Sequence, residues 1–146
     1  MEIREMKKSD YDEVFAMWQI TTQRALSDAD SRKGIEKYID RNPGMSQVAV
    51  EDGKIIGTVL AGHDGRRGFI HHMAVMPQYR RHGIGHKLAQ VAISKIEADG
   101  IDKTHIFCYQ NNETGQSFWR DFGFTKRDDV FVYSYENNTK RQLKTR

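Results

Sequence analysis

A single cysteine, Cys108, stands in 146 residues, so no internal disulfide can form and the fold has to rest on its core. Six histidines occur without a Cys or His cluster at ligand spacing, which leaves no case for structural zinc, and no metal is expected. The adjacent pair His71 and His72 is expected on opposite faces of a strand, where the two rings cannot easily share an ion. No run approaches the roughly 20 apolar residues that span a bilayer. The opening Met1-Glu2-Ile3-Arg4-Glu5-Met6-Lys7 carries charge where a signal peptide has an apolar centre. A soluble, cytoplasmic protein with no membrane partner is the expectation. Internal repeats, low-complexity segments and linkers are also missing. The net charge of +3 is modest, and part of it lies in Lys140-Arg141-Gln142-Leu143-Lys144-Thr145-Arg146. That tail has no apolar periodicity, so residues from about 136 to 146 read as a frayed, solvated basic end and not as a nucleic-acid arm.

What is present suffices for one core: 38% of the residues are hydrophobic, in a chain too short for two ordinary domains. A single α/β domain over residues 1–146 is expected. Glu2 to Met6 fits a first strand, and Ser9 or Asp10 can cap a helix through Val14, Phe15 and Trp18. Ser27 or Asp28 can cap a second helix through Ile35, Tyr38 and Ile39, ending by Asn42-Pro43-Gly44. Two strands, 47–51 and 54–60, flank Asp52-Gly53, a strong two-residue hairpin signal. Further strands are expected at 68–75, 104–109 and 130–135, with a short helix from Asn112 to Phe122.

The most informative stretch is Val75-Met76-Pro77-Gln78-Tyr79-Arg80-Arg81-His82-Gly83-Ile84-Gly85-His86-Lys87-Leu88. An apolar strand precedes it, and Pro77 ends that strand because proline cannot donate to a ladder. After it, Ile84, Leu88, Val91, Ala92 and Ile96 recur at steps of three and four, one buried face of a helix. Strand, basic glycine loop and helix together place free N–H groups at the positive end of a helix dipole, a cradle for phosphate. Neither a P-loop nor the dinucleotide fingerprint fits, since no Gly-Lys-Ser/Thr is present and Leu88 stands where a third glycine belongs.

The pattern Arg80-x-x-Gly83-x-Gly85, following Ala74-Val75 and Pro77, resembles the acetyl-coenzyme A signature of the GNAT superfamily of N-acetyltransferases. A second element, Asn112-x-x-Gly115-x-x-Phe118-Trp119-x-x-Phe122-Gly123-Phe124, is similar to that family's second coenzyme-contacting helix and its Gly-Phe turn. The likeness runs from Met1 to about Tyr135. It implies an α+β, three-layer fold: a mixed, mostly antiparallel twisted sheet with a central βαβ coenzyme-binding unit and helices on both faces. It also implies acetyl-coenzyme A as co-substrate, held at Arg80, Arg81, His82, Gly83, Ile84, Gly85 and His86, with Asn112 and Phe118 adding contacts. The thioester carbonyl would be polarised from the backbone of Met73, Ala74 and Val75.

Acetyl transfer to an amine also needs a base and an acid. His71 or His72 can take the ammonium proton, imidazole having an ordinary pKa of roughly 6.5. His71 is preferred, because the resemblance to the serotonin-acetylating branch puts histidine there and because it shares side-chain parity with Met73 and Val75. The family's usual tyrosine acid is replaced by Trp119, whose indole does not protonate a thiolate, so Tyr109 or Tyr133 takes that role or the thiolate leaves unaided. Trp18, Asp28, Asp30 and Asp64 are the candidates to hold the acceptor amine. The function implied is transfer of acetyl from acetyl-coenzyme A to a primary amine by direct attack in a ternary complex. A protein N-terminal or lysine acetyltransferase, or a non-catalytic acetyl-coenzyme A sensor of the same fold, are the alternatives. A monomer or homodimer is expected.

Overall fold

The computed structural model describes residues 1–137, so the basic tail expected over about 136–146 lies, from 138 onward, outside the described residues. The backbone falls into two compact units, Met1–Phe107 and a smaller one that begins at Cys108.

In the first unit, strand β1 (Glu2–Glu5) leads through a short 3-10 turn into helix α1 (Tyr11–Thr21). Asp10 precedes α1 as expected, but its carboxylate is taken by Arg4, at 2.8 and 2.9 Å, and by the Lys7 N–H, and does not cap the helix. Ser27 caps only a 3-10 turn (Asp28–Asp30); helix α2 (Arg32–Arg41) is capped by Ser31, whose Oγ accepts the Gly34 N–H at 3.1 Å. Strands β2 (Gln47–Glu51) and β3 (Lys54–His63) are joined by Asp52 and Gly53, both at positive φ, as a tight hairpin of the preferred twist requires. Strand β4 (Gly68–Val75), helix α3 (Ile84–Ala98) and strand β5 (Thr104–Ile106) follow.

The sheet order is β1-β2-β3-β4-β5, antiparallel except for the parallel pair β4 and β5. The β4-α3-β5 crossover is central in the chain and closes one side of this described sheet. Helices cover both faces, giving three layers. On one face α1 and α2 bury Val14, Met17, Trp18 and Ile35 against Val48, Leu60 and Ala74. Trp18 is sealed in that core with its Nε1–H donating to Thr58 Oγ1 at 2.9 Å. On the opposite face α3 lies close on the strands. A Cβ at Gly57 would fall 3.0 Å from Leu88 Cδ1, and one at Gly68 would fall 2.6 Å from Thr104 Oγ1 and 2.8 Å from Ile96 Cγ2.

The second unit contains helix α4 (Glu113–Phe122). Asn112 caps it by accepting the Gly115 N–H at 3.0 Å, and Gly123, at positive φ, ends it with Phe124 N–H returning to the Trp119 carbonyl. Phe118, Phe122 and Phe124 ring Trp119, with centroids 4.8 to 6.2 Å from it. Two sequence expectations are corrected. The strand expected to reach Tyr109 ends at Ile106, and residues 130–135 form no ladder, with Phe131 and Tyr133 exposed. The alternation of those residues meets the pattern of a strand, but pattern alone supplies no neighbouring edge to bond.

Candidate active site

Strand β4 carries the site, and its irregularity decides what faces where. The β3–β4 register runs from Val75 opposite Gly57 to His72 opposite Leu60, then resumes with Ile70 opposite Ala61. His71 is thus the extra residue of a β-bulge. A bulge breaks the alternation of faces, and both histidines turn to the α1/α2 face: His72 packs on Trp18 at 4.6 Å, and His71 meets the Tyr38 ring edge-on at 5.4 Å and stacks on Phe69 at 6.0 Å. The expectation that His71 and His72 point to opposite faces is corrected, as is the parity of His71 with Met73 and Val75. The latter two pair with Val59 and Gly57 and face α3.

The two histidines have different surroundings. His72 is 5% exposed, and its Nε2 lies 2.8 Å from Oδ1 of Asp30, itself 5% exposed. Burial alone would raise the Asp30 carboxyl, but the His72 hydrogen bond and charge, the Ser27 N–H and His71 outweigh it and hold it below its usual range. His72 and Asp30 therefore close on each other and bind α1, the 3-10 turn and β4 together. His71 keeps an open edge to solvent. The protein crowded around it displaces water, with the charge of His72 adding and that of Asp30 opposing, so its pKa lies below the ordinary 6.5 and the neutral ring is favoured at neutral pH.

On the other side of β4 the sheet opens. Parallel pairing with β5 covers only Gly68 to Ile70 against Thr104 to Ile106, where β5 ends, and beyond Ile70 that edge of β4 has no ladder partner among the described residues. Met76 N–H donates to the Ile56 carbonyl on β3 at 2.9 Å. Strand alternation then turns the N–H of Ala74 toward β3 and those of Met73 and Val75 toward the opening. Of the three residues expected to polarise a carbonyl, Met73 and Val75 have that orientation, and Ala74 is core.

Past Val75 the loop has a backbone of the kind that can hold an anion. Arg81 and Gly83 both adopt positive φ, 67° and 76°, and Gly83 starts α3, whose first helical bond runs from the Lys87 N–H to the Gly83 carbonyl. The N–H groups of a helix's first turn have no partner within the helix, and alternating backbone twist makes a concave nest of such donors. Arg80 bends back, its Nε–H donating to the Val75 carbonyl at 3.0 Å, and braces the loop on β4. Arg81, His82, Gly83 and His86 are exposed around the nest, Gly85 lies in the first helical turn, and Ile84 is buried beneath it.

Beside His71 is a cavity of about 290 Å³, lined among others by Tyr38, Arg41, Asp64, Phe69 and Phe107. Asp64 is exposed there, and the Arg67 and Arg66 N–H groups on its carboxylate hold it below its usual range. Of the other acceptor candidates, Trp18 is core and unavailable to a ligand, Asp28 is exposed in the 3-10 turn, and Asp30 is committed to His72. Tyr38, Phe69 and Phe107 were not legible as a group, because α2, β4 and the end of β5 meet only through the tertiary fold. In the second unit, Tyr109 and Asn112 adjoin at the start of α4, where the Tyr109 carbonyl accepts the Asn112 N–H at 3.0 Å. Phe118 lies in the aromatic cluster, and Tyr133 is 88% exposed. Among the described residues no group of three His, Cys, Asp or Glu side chains is placed to hold a metal, and no helix is long and apolar enough to cross a membrane.

The chain belongs to the acetyltransferase (GNAT) family, whose model matches residues 4–124, and is by that membership an acetyl-coenzyme A-dependent N-acetyltransferase. It is 31% identical over 114 residues to an acetyltransferase of Pectobacterium atrosepticum, covering 77% of this chain and 79% of the other. It is 28% identical over 133 residues to an acetyltransferase of Sodalis glossinidius, covering 90% and 92%. Among solved structures, the PaiA N-acetyltransferase of Thermoplasma acidophilum in complex with coenzyme A superposes with a TM-score of 0.76 at 20% identity, over 88% of this chain and 92% of that one. The aminoglycoside N-acetyltransferase AAC(6')-Iy in complex with CoA gives 0.76 at 20% identity, over 92% and 93%. At such identity these structures establish the fold.

Proposed function

We propose that this enzyme moves an acetyl group from acetyl-coenzyme A to a primary amine by direct attack in a ternary complex. The observation that carries the reading is the joining of two features on one continuous stretch: the anion nest at Arg81 to Gly85 and the opening of β4 beyond Ile70. In this reading the nest, the α3 dipole and the Arg81 side chain hold the pyrophosphate of the co-substrate, while Arg80 keeps the nest at a fixed distance from the opening. The outward N–H groups of Met73 and Val75 hydrogen-bond the thioester oxygen and stabilise the charge that develops on it.

His71 removes a proton from the acceptor ammonium, directly or through water, so that the neutral amine attacks the acetyl carbon. The carbon–nitrogen bond forms, the carbon–sulfur bond breaks, and the departing thiolate takes up one proton, from Tyr109, Tyr133 or solvent. His72 is not the base in this account, since its ring is enclosed and committed to Asp30. Asn112 is proposed to serve both as the cap of α4 and as a coenzyme contact, and Phe118 to pack beside the coenzyme. Activity in the cytoplasm as a monomer or homodimer completes the reading.

The test is thiol release from acetyl-coenzyme A over a panel of amines and peptides. Turnover with a small amine supports the reading. Turnover confined to peptide N-termini or lysines replaces it with a protein acetyltransferase, and coenzyme binding without turnover on any acceptor contradicts it.

A further inference from the structure

The cavity beside His71 indicates which amine the enzyme takes, and the inference rests on the acetyltransfer proposed above. Several polar groups at its wall are committed within the protein. Asn42 Oδ1 accepts the His63 N–H at 2.9 Å, and its Nδ2 donates to the Tyr38 carbonyl at 3.3 Å. His63 accepts the Gly65 N–H on Nδ1 and lies 2.9 Å from Asp99 through Nε2. The Tyr38 hydroxyl is tucked against Gly62, where a Cβ would fall 2.5 Å from it, and burial pushes its pKa up to about 12, so it supplies no negative charge.

What the wall offers a ligand is therefore chiefly ring surface: Tyr38, Phe69, Phe107 and the imidazole of His71. The fixed charges there are one of each sign, Arg41 and Asp64. A site for an acceptor with several positive charges gathers carboxylates, and Arg41 works against that. The volume of about 290 Å³ falls just below the roughly 300–1,000 Å³ of small-molecule sites. It suits a body the size of one ring system.

We infer that the acceptor is a compact aromatic monoamine, its ring held among Phe69, Phe107 and Tyr38 and its single amine presented to His71. Ring-on-ring contact supplies affinity. The ammonium, before it gives up its proton, is favoured near aromatic faces, and Asp64 attracts it at the mouth.

The test compares kcat/KM for 2-phenylethylamine, spermidine, an aminoglycoside and a peptide amine, using the full-length enzyme and acetyl-coenzyme A. The expected result is a preference of at least about tenfold for 2-phenylethylamine. Phe107→Ala and Phe69→Leu should each raise its KM by about tenfold with coenzyme A affinity unchanged, and Arg41→Glu should shift the ratio toward spermidine. A preference for spermidine, the aminoglycoside or the peptide overturns this inference and leaves the acetyltransferase reading standing. An unchanged KM in both ring variants, each folded by circular dichroism, overturns it as well. Absence of coenzyme A binding to the wild-type protein overturns both.

Discussion

Two neighbouring histidines with the same intrinsic chemistry are made different by one extra residue in a strand. His72 is enclosed with Asp30 at 2.8 Å, and His71, in the bulge, is left at the edge of the aromatic cavity with its pKa lowered by the displacement of water. A base has to be neutral to accept a proton, so activity should fall as pH drops through a value below 6.5. His71→Gln is expected to lower kcat/KM by about 10²-fold near neutral pH and to remove that acidic limb, with coenzyme A affinity unchanged. A profile of unchanged shape, merely displaced downward, would assign His71 to positioning. For Asp30 the linkage runs the other way. Its folded pKa is depressed, so its stabilisation is complete above the ordinary carboxyl value of 3.8 and is lost as pH falls through the lower folded value. Asp30→Asn should cost about 3 kcal/mol at pH 7, the scale of a broken buried pair, and progressively less as pH falls below 3.8 toward and through the lowered folded value. Urea unfolding at pH 7 and along a series below pH 3.8 measures the difference; a loss that stays constant along the whole series would mean that the pair contributes packing alone.

At the scale of elements, α3 is seated on β3 and β4 through glycines that admit it. Gly68 is the tightest of the two described above, with Thr104 and Ile96 already where a methyl would go. Gly68→Ala should destabilise the fold by about 1–3 kcal/mol through overpacking, read as a lowered thermal midpoint; an unchanged midpoint would mean that both side chains move aside without loss. The hairpin at Asp52-Gly53, the strand before Pro77 and the face of α3 were legible in the sequence because each depends on local chemistry: positive φ, a missing N–H, a 3.6-residue period. The bulge at His71 has no such marker, with neither glycine nor proline at the position. Strict alternation therefore assigned the two histidines to opposite faces. Residues 130–135 show the converse, a local pattern that fits a strand and forms no ladder in the described structure.

For the whole molecule, the motif that carried the resemblance to the family is also a piece of backbone chemistry, which is why it could be read early. Gly83 is needed for its positive φ at the start of α3, and an arginine two residues before it takes the same backbone region without being glycine. The acceptor side was illegible because Tyr38, Phe69 and Phe107 are far apart in sequence, and because Trp18, an apt ring for stacking, is consumed by the core. The central claim is that the loop before α3 holds the co-substrate's phosphates, and calorimetric titration with coenzyme A tests it most directly. The wild-type protein should bind, with affinity falling as salt rises. Gly83→Glu, whose side chain brings like charge to the nest and strains the backbone, should fold yet show no binding. Coenzyme A affinity in that variant equal to the wild type's would contradict the account.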